Sequence, residues 1–394
     1  MSTRTTHPAL VTLALAMGAF AIGTTEFAAM SLVPFFARDL GITEPEAGHA
    51  ISAYALGVVV GAPVISVLAA KVERRVLLIA LMALFAIGNG VSALAANYNL
   101  LLVCRFVSGL PHGAYFGIAA LVAASMVPAN KRAQSVAMVM SGLTVATIIG
   151  VPVANFLGQT LGWRSGFAVV AVLAVISMVM VALFAPRQPA SADASPLREL
   201  GALKRPQVLL TLLTGAIGFG GLFCVYTYVA STMIEVTGAS ERLVPAVLAI
   251  FGIGMTVGNL FWAWMADRAQ TRAAIAALIF SAVSLALFSV LAHNIWTLCL
   301  DVLLIGFSGG LGTILQTRLM DVAGDAQALA AAAHHSAFNT ANAIGPWLGG
   351  VAIAAGWGLT STGWIGALLA LGGLVVFLFA AALRKRDDLR PATA

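Results

Sequence analysis

Three ionisable side chains, Glu26, Arg105 and Asp301, interrupt blocks of otherwise apolar sequence. An ionised group at the centre of a bilayer costs roughly 2.5–3.5 kcal/mol on insertion scales, so each marks a place where charge serves a purpose. Glu26 lies two-thirds along the first apolar block, within Gly23-Thr24-Thr25-Glu26-Phe27. Burial disfavours the charge of such a carboxyl and a nearby cation favours it. Poised between the two, it can take a proton from one side of a membrane and release it to the other. Arg105 is the one base placed at that depth and the candidate tuner of Glu26. His112 follows it by seven residues on the same helical face and is a candidate either for relaying protons or for holding substrate. The alternative is a structural Glu26–Arg105 pair that joins two helices and does no more. Asp301 lies near the outer end of the tenth block, where water, His293 or Asn294 are its possible partners.

Candidates for ligand contact are patterned rather than clustered. Phe219, Phe223 and Tyr226 recur at helical spacing as one aromatic face, and His335, Asn339 and Asn342 do so as a polar face. Met30 stands beside Glu26 and Phe116 follows His112. Aromatic walls with a few polar anchors suit an uncharged or amphiphilic small molecule. Aromatic stripes also pack against lipid or neighbouring helices. Polar stripes have less reason to do so, because unsatisfied amides in hydrocarbon are costly. His334 falls on a different face near the cytoplasmic end, where solvation accounts for it.

Composition places these residues in a membrane. Of 394 residues, 60% are hydrophobic and only 9% charged, whereas a soluble domain carries about 25% charged residues. The apolar blocks reach the roughly 20 residues needed to cross a hydrocarbon core. Twelve spans are predicted, at 9–36, 46–70, 76–96, 100–126, 133–159, 165–185, 207–233, 243–265, 273–292, 296–317, 329–355 and 360–383. The apolar N-terminal block is too long for a signal-peptide core and reads as the first span. Residues 187–206, rich in proline and charge, form a linker, giving halves at 1–186 and 207–394. The net charge of +6 is topogenic rather than a nucleic-acid footprint. With the N-terminus inside, seventeen of the 21 Lys and Arg fall on the inner side. Only Arg38, Arg164 and Arg242 fall outside, and Arg105 accounts for the last. Both termini are therefore expected in the cytoplasm. Cys104, Cys224 and Cys299 lie within apolar blocks as packing residues. No cofactor or metal is expected, no G-x-x-x-x-G-K-[ST] loop occurs, and no Ser/His/Asp grouping suggests an enzyme.

The halves echo each other. Gly57-x-x-x-Gly61 followed by Lys71 and Arg75 is matched by Gly254-x-x-x-Gly258 followed by Arg268 and Arg272, all at an offset of 197. Gly162-Trp163 is matched by Gly356-Trp357 at an offset of 194. Such a parallel repeat of two six-span halves is the layout of major facilitator transporters.

Motifs carry the resemblance further. Ser66-Val-Leu-Ala-Ala70-Lys71-Val-Glu73-Arg74-Arg75 resembles the major facilitator signature G-x-x-x-D-[RK]-x-G-[RK]-[RK], departing at Ser66, Ala70 and Glu73. The second copy keeps the acid as Asp267, ahead of Arg268 and Arg272. Arg105-Phe-Val-Ser-Gly109 resembles the span-4 motif of the family, and Gly142…Gly150-Val-Pro152 its antiporter glycine-proline motif. With Gly23–Phe27 and Ala337-Phe338-Asn339…Asn342-Ala-Ile-Gly345, the chain resembles the arabinose-efflux and chloramphenicol-resistance group of twelve-span drug:proton antiporters. The resemblance implies a cytoplasmic latch at Lys71, Arg74, Arg75, Asp267, Arg268 and Arg272. Topogenic charge alone is the alternative there. Small residues at every fourth position run through span 5 at Gly142, Ala146, Gly150, Ala154 and Gly158, and through span 11 near Gly345. They allow close helix approach, either as static packing or as a sliding seam between the halves formed by spans 2, 5, 8 and 11.

The expectation is an all-α polytopic major facilitator fold acting as a proton-coupled exporter of drug-like or sugar-like molecules in a bacterial inner membrane. The partners expected are protons, a small-molecule substrate and the bilayer, without nucleic acid, and the chain is expected to be a monomer. An uptake symporter or uniporter on the same fold is the nearest rival, and a non-transporting receptor or sensor the more distant one.

Overall fold

The computed structural model of the chain describes residues 8–69, 71–128, 131–188, 205–323 and 327–388. They are helical almost throughout, with no strand among them. Among the described residues ten helical segments are long and apolar enough to cross a membrane. One of them, Glu241–Leu291, contains two spans, because the helix Val244–Leu291 breaks at Ala269 (φ −157°, ψ 72°). Gln327–Ala352 completes twelve.

The spanning helices are α1 (Pro8–Ser31), α2 (Glu44–Leu68), α3 (Arg74–Ala93), α4 (Tyr98–Ser125), α5 (Arg132–Val145, continued by Val151–Thr160) and α6 (Arg164–Phe184). They continue with α7 (Pro206–Gly218 and Gly220–Glu235), α8 and α9 (together Val244–Leu291, divided at Ala269) and α10 (Ile295–Ser308 and Leu311–Ala323). The last two are α11 (Gln327–Ala352) and α12 (Ser361–Asp388). A single π turn, Ala146–Gly150, joins the two pieces of α5.

Local chemistry fixes the ends. Thr43 and Glu46 form a capping box ahead of α2: the Thr43 amide donates to Glu46 Oε2 at 2.8 Å and the Glu46 amide to Thr43 Oγ1 at 3.4 Å. Asn97 and Asn294 cap α4 and α10, each side-chain oxygen accepting a backbone N–H at 2.9 Å. The Gly-Trp echo has a backbone cause. Gly162 (φ 91°) and Gly356 (φ 84°) both turn the chain through the left-handed region, open to glycine without strain.

The helices pack as two compact units: Met1–Pro196 with Ala239–Gly252, and Leu197–Gly238 with Ile253–Ala394. Residues 239–252, which follow α7 in the chain, thus belong to the first unit. Within it Phe251 meets Phe27 with ring centroids 6.3 Å apart, and the Arg38 guanidinium pairs with Glu241 at 2.6 Å. Residues 189–204, most of the expected linker, and Ala70 of the signature lie outside the described residues.

The glycine repeat at offset 197 is a repeat of packing. A Cβ on Gly57 would lie 2.1 Å from Phe106 O, and one on Gly254 would lie 2.2 Å from Leu303 O. One on Gly61 would meet Leu110 O at 2.1 Å, and one on Gly258 would meet Phe307 O at 2.0 Å. The acceptors too are 197 residues apart. In each unit two glycines let a helix backbone, α2 or α8, lie directly on the next, α4 or α10. The remaining glycines pack likewise: Gly142 against Ala16 O, Gly150 against Thr24, Gly158 against Leu32 and Gly345 against Gly220 O. Each of these glycines packs on a neighbour in its own unit, joining α5 to α1 and α11 to α7. Pro152 lies at the second position of the α5 continuation, where its missing N–H is tolerated. Outward-facing Ile149, Phe156, Leu368, Val375 and Phe379 leave an apolar exterior suited to lipid.

Candidate functional site

The candidate proton site lies wholly in the first unit, where α1, α2, α3, α4 and α6 converge. Glu26 is 3% exposed and Arg105 0%. The hydrogen bond from Arg105 does not end on the acid: its Nη1 donates to Thr25 Oγ1 at 3.1 Å. Thr25 Oγ1 donates in turn to Asn89 Oδ1 at 2.7 Å, and Asn89 Nδ2 donates to Phe85 O at 2.9 Å. The guanidinium carbon sits 4.3 Å from the centre of the Tyr54 ring and 5.2 Å from that of Phe167. Arg105 Nε and Nη2 have no hydrogen-bond partner. Ring faces therefore replace much of the water this cation has lost, an arrangement worth about 2 kcal/mol or more when desolvated.

Glu26 acts electrostatically on both Arg105 and Tyr54. Tyr54 links the acid–base region to the histidine, its hydroxyl lying 2.9 Å from His112 Nδ1. The His112 ring meets Phe116 at 5.2 Å. Met30, one helical turn beyond Glu26, is fully buried. Glu26, Arg105, His112 and Phe116 are thus brought into one neighbourhood. Thr25, Tyr54, Asn89 and Phe167 are further members that sequence reasoning passed over. Asn89 had a legible signal, since a lone amide in an apolar span invites a partner. Thr25 had none, because a hydroxyl in a helix commonly bonds its own backbone.

In the second unit the aromatic face is real and larger than the sequence suggested. Phe219 meets Phe223 at 5.7 Å and Phe338 at 4.5 Å, and Phe223 meets Phe338 at 5.0 Å. Phe338, from α11, is the member the spacing rule missed. Tyr226 is buried on the same helix. A small cavity inside this unit is lined by Thr211, Gly215, Phe219, Gly312, His334 and Phe338 among others. His334 is thus a cavity-lining residue, whereas the sequence left it as a solvated one. The polar stripe divides: Asn339 Nδ2 donates to His335 O of its own helix at 3.0 Å, leaving its Oδ1 unpartnered. Asn342 is fully buried.

Two expectations are corrected. Arg318, counted by sequence as an inner-loop charge, is 1% exposed within α10. Its Nη2 donates to Gln207 Oε1 at 3.2 Å, and its guanidinium lies 4.8 Å from the Phe377 ring centre. Arg105 is therefore not the one buried base. Asp301 is not at the surface and does not pair with His293 or Asn294: it is 0% exposed and neither carboxyl oxygen has a hydrogen-bond partner among the described residues. Asn294 is occupied as a helix cap.

The basic loop residues find local partners. Arg74 Nη1 donates to Gln188 Oε1 at 3.3 Å, and Arg75 donates to Ala182 O. Lys71, Asp267 and Arg272 are exposed, and Arg268 stacks 4.0 Å from the centre of the Trp264 ring. Across the α8–α9 break it is Asp321, not Asp267, that accepts a bond from Gln270, at 2.8 Å. At another loop the Arg164 guanidinium and then the Trp163 indole hydrogen-bond Asp39 and hold its carboxyl below the usual carboxylate range.

Comparison with known proteins agrees with this architecture. The Major Facilitator Superfamily pattern matches residues 15–240 and 221–394. The chain is 41% identical over 377 residues to the inner membrane transport protein YdhP of Escherichia coli (strain K12), covering 95% of this chain and 96% of that one. It is 34% identical to a chloramphenicol resistance protein of Streptomyces lividans, with 93% and 95% covered. Its fold is similar to that of a bacterial homologue of the human lysosomal transporter Spinster, with a TM-score of 0.73 at 15% identity over the whole of both chains.

Proposed function

The chain belongs to the Major Facilitator Superfamily, and from that premise we propose that it is a proton-coupled exporter of small organic molecules, drug-like or sugar-like, in a bacterial inner membrane. The observation that carries the coupling is Glu26, 3% exposed, in electrostatic contact with the equally buried Arg105. A proton bound by Glu26 from outside favours one conformation, and bound substrate favours the return. A ligand shifts such an equilibrium only by its differential affinity for the two states. Thr25 and Asn89 hold Arg105 in place, and Tyr54 connects that cation to His112. The aromatic wall of Phe219, Phe223 and Phe338 offers an apolar surface for substrate, with Asn339 a polar anchor.

Export rather than uptake is supported by the likeness to a chloramphenicol resistance protein. Cytoplasmic termini are supported by the distribution of Lys and Arg, and the latch charges at Arg74, Arg75 and Arg268 belong to that inner face. The working unit is a monomer.

The test uses purified protein in liposomes with an interior pH dye and a panel of amphenicols, lipophilic cations, pentoses and nucleosides. Substrate-dependent proton flux that is lost in Glu26→Gln is the expected result, and its direction separates export from uptake. Substrate movement without proton flux in either protein would overturn the coupling and return Glu26 to a structural role.

A further inference from the structure

Asp301 stands in the first piece of α10 with no exposed surface, and neither carboxyl oxygen accepts a hydrogen bond. The same piece of α10 packs against Gly220–Glu235 of α7. On that segment Thr227 and Ser231, one helical turn apart and both fully buried, also have hydroxyl oxygens without partners. Four orphaned oxygens thus lie on two packed helices, and the Glu26 site uses none of them.

The internal repeat sharpens the placement. The glycine contacts align Phe106 with Leu303 and Leu110 with Phe307, which aligns Arg105 with Val302 and puts Asp301 one residue earlier. Where the first unit buries a cation, the second buries an acid.

A bare carboxylate here has given up its water for nothing, a situation that native structures avoid by pairing the charge or removing it. The neighbouring groups do not pair it. On α7, Tyr228 donates to Pro346 O at 2.9 Å, Cys224 packs on Gly349, and Tyr226 and Glu235 complete the titratable set. On α8, Asp267 and Arg268 sit beyond Gly258, at the far end of the helix from Gly254. On α10 itself, Cys299, Arg318 and Asp321 are the other titratable or charged groups, and His293 before it is exposed.

We propose that Asp301 is a second proton-binding site, in the second unit and separate from Glu26. One proton on one oxygen removes the charge that burial penalises. The proposal concerns the occupancy of one carboxyl and does not depend on the transport reading.

Infrared difference spectroscopy on the full chain in lipid nanodiscs, in sodium-free buffer at neutral pH, tests it without any substrate. The expected result is a protonated-carboxyl C=O band that shifts on 13C-aspartate labelling, disappears in Asp301→Asn and persists in Glu26→Gln. Absence of an aspartate-derived band, or its survival in Asp301→Asn, would overturn the proposal. Bleaching of the band by added sodium would also overturn it, in favour of a cation site. If Asp301→Asn does not fold, Asp301→Glu moves the band from the aspartate label to a glutamate label, and failure of the band to move counts against Asp301.

Discussion

Arg105 donates its hydrogen bond to Thr25, 3.1 Å away, and not to the acid that follows Thr25 in the chain. The cation is thereby anchored to the helix that carries Glu26 through a neutral hydroxyl. The carboxyl of Glu26 feels this cation through space and not through a hydrogen bond from it.

Thr25→Val keeps the branched shape and removes two buried hydrogen bonds, to Asn89 and from Arg105. The expected loss of stability is about 1–3 kcal/mol, because donor and acceptor are left buried and unpaired. Unfolding of purified protein followed by tryptophan fluorescence measures it, with Thr25→Ser as the near-neutral control. An unchanged midpoint in Thr25→Val would show the network to be idle.

Arg105→Lys keeps the charge but cannot lie flat between the Tyr54 and Phe167 rings. Loss of stacking worth about 2 kcal/mol predicts a fall in transport of roughly tenfold or more. Wild-type transport by the lysine variant would mean that point charge alone suffices.

Gly258→Ala puts a Cβ 2.0 Å from Phe307 O, a backbone atom that cannot swing aside. Overpacking of this kind costs typically 1–3 kcal/mol, so the yield of folded protein falls sharply. Gly117→Ala, on the exposed face of α4 with nothing within 4 Å, is expected to stabilise by about 0.5–1 kcal/mol. Equal thermal stability for the two variants contradicts the packing account.

Asp39 gives a pH prediction. Its carboxyl is held below the usual range by hydrogen bonds from Arg164 and Trp163. A lowered folded pKa means stability that is present above the unfolded value of about 3.9 and lost as pH falls through the folded value. Asp39 is substantially exposed, so the effect is small. Thermal unfolding from pH 6 downward is expected to weaken below about pH 4, with a shallower slope in Asp39→Asn. Parallel profiles would remove Asp39 as a contributor.

Much of this architecture was legible in the residues themselves. Apolar blocks of spanning length gave the helices, and paired glycines at one offset gave the repeat, because close backbone contact tolerates no other side chain. That Glu26 and Arg105 fall inside apolar helices was equally plain. The partners of Arg105 were not, since Thr25, Tyr54, Asn89 and Phe167 come from α1, α2, α3 and α6, and only tertiary packing brings them together. Arg318 was misplaced because a base near a span end looks topogenic until Gln207 and Phe377 are seen to enclose it. Asp301 had plausible sequence neighbours in His293 and Asn294, but helix capping claims Asn294 and exposure removes His293.

Residues 239–252 pack with the first unit although they follow α7 in the chain. A protein divided at 189–204 will therefore not give two self-sufficient fragments. The N-terminal piece, produced alone, lacks the segment that covers Phe27 and Thr147 and that supplies the acid for Arg38. Its solubility in detergent will depend on co-production of the C-terminal piece, and fragment complementation will work only when residues 239–252 are available to it.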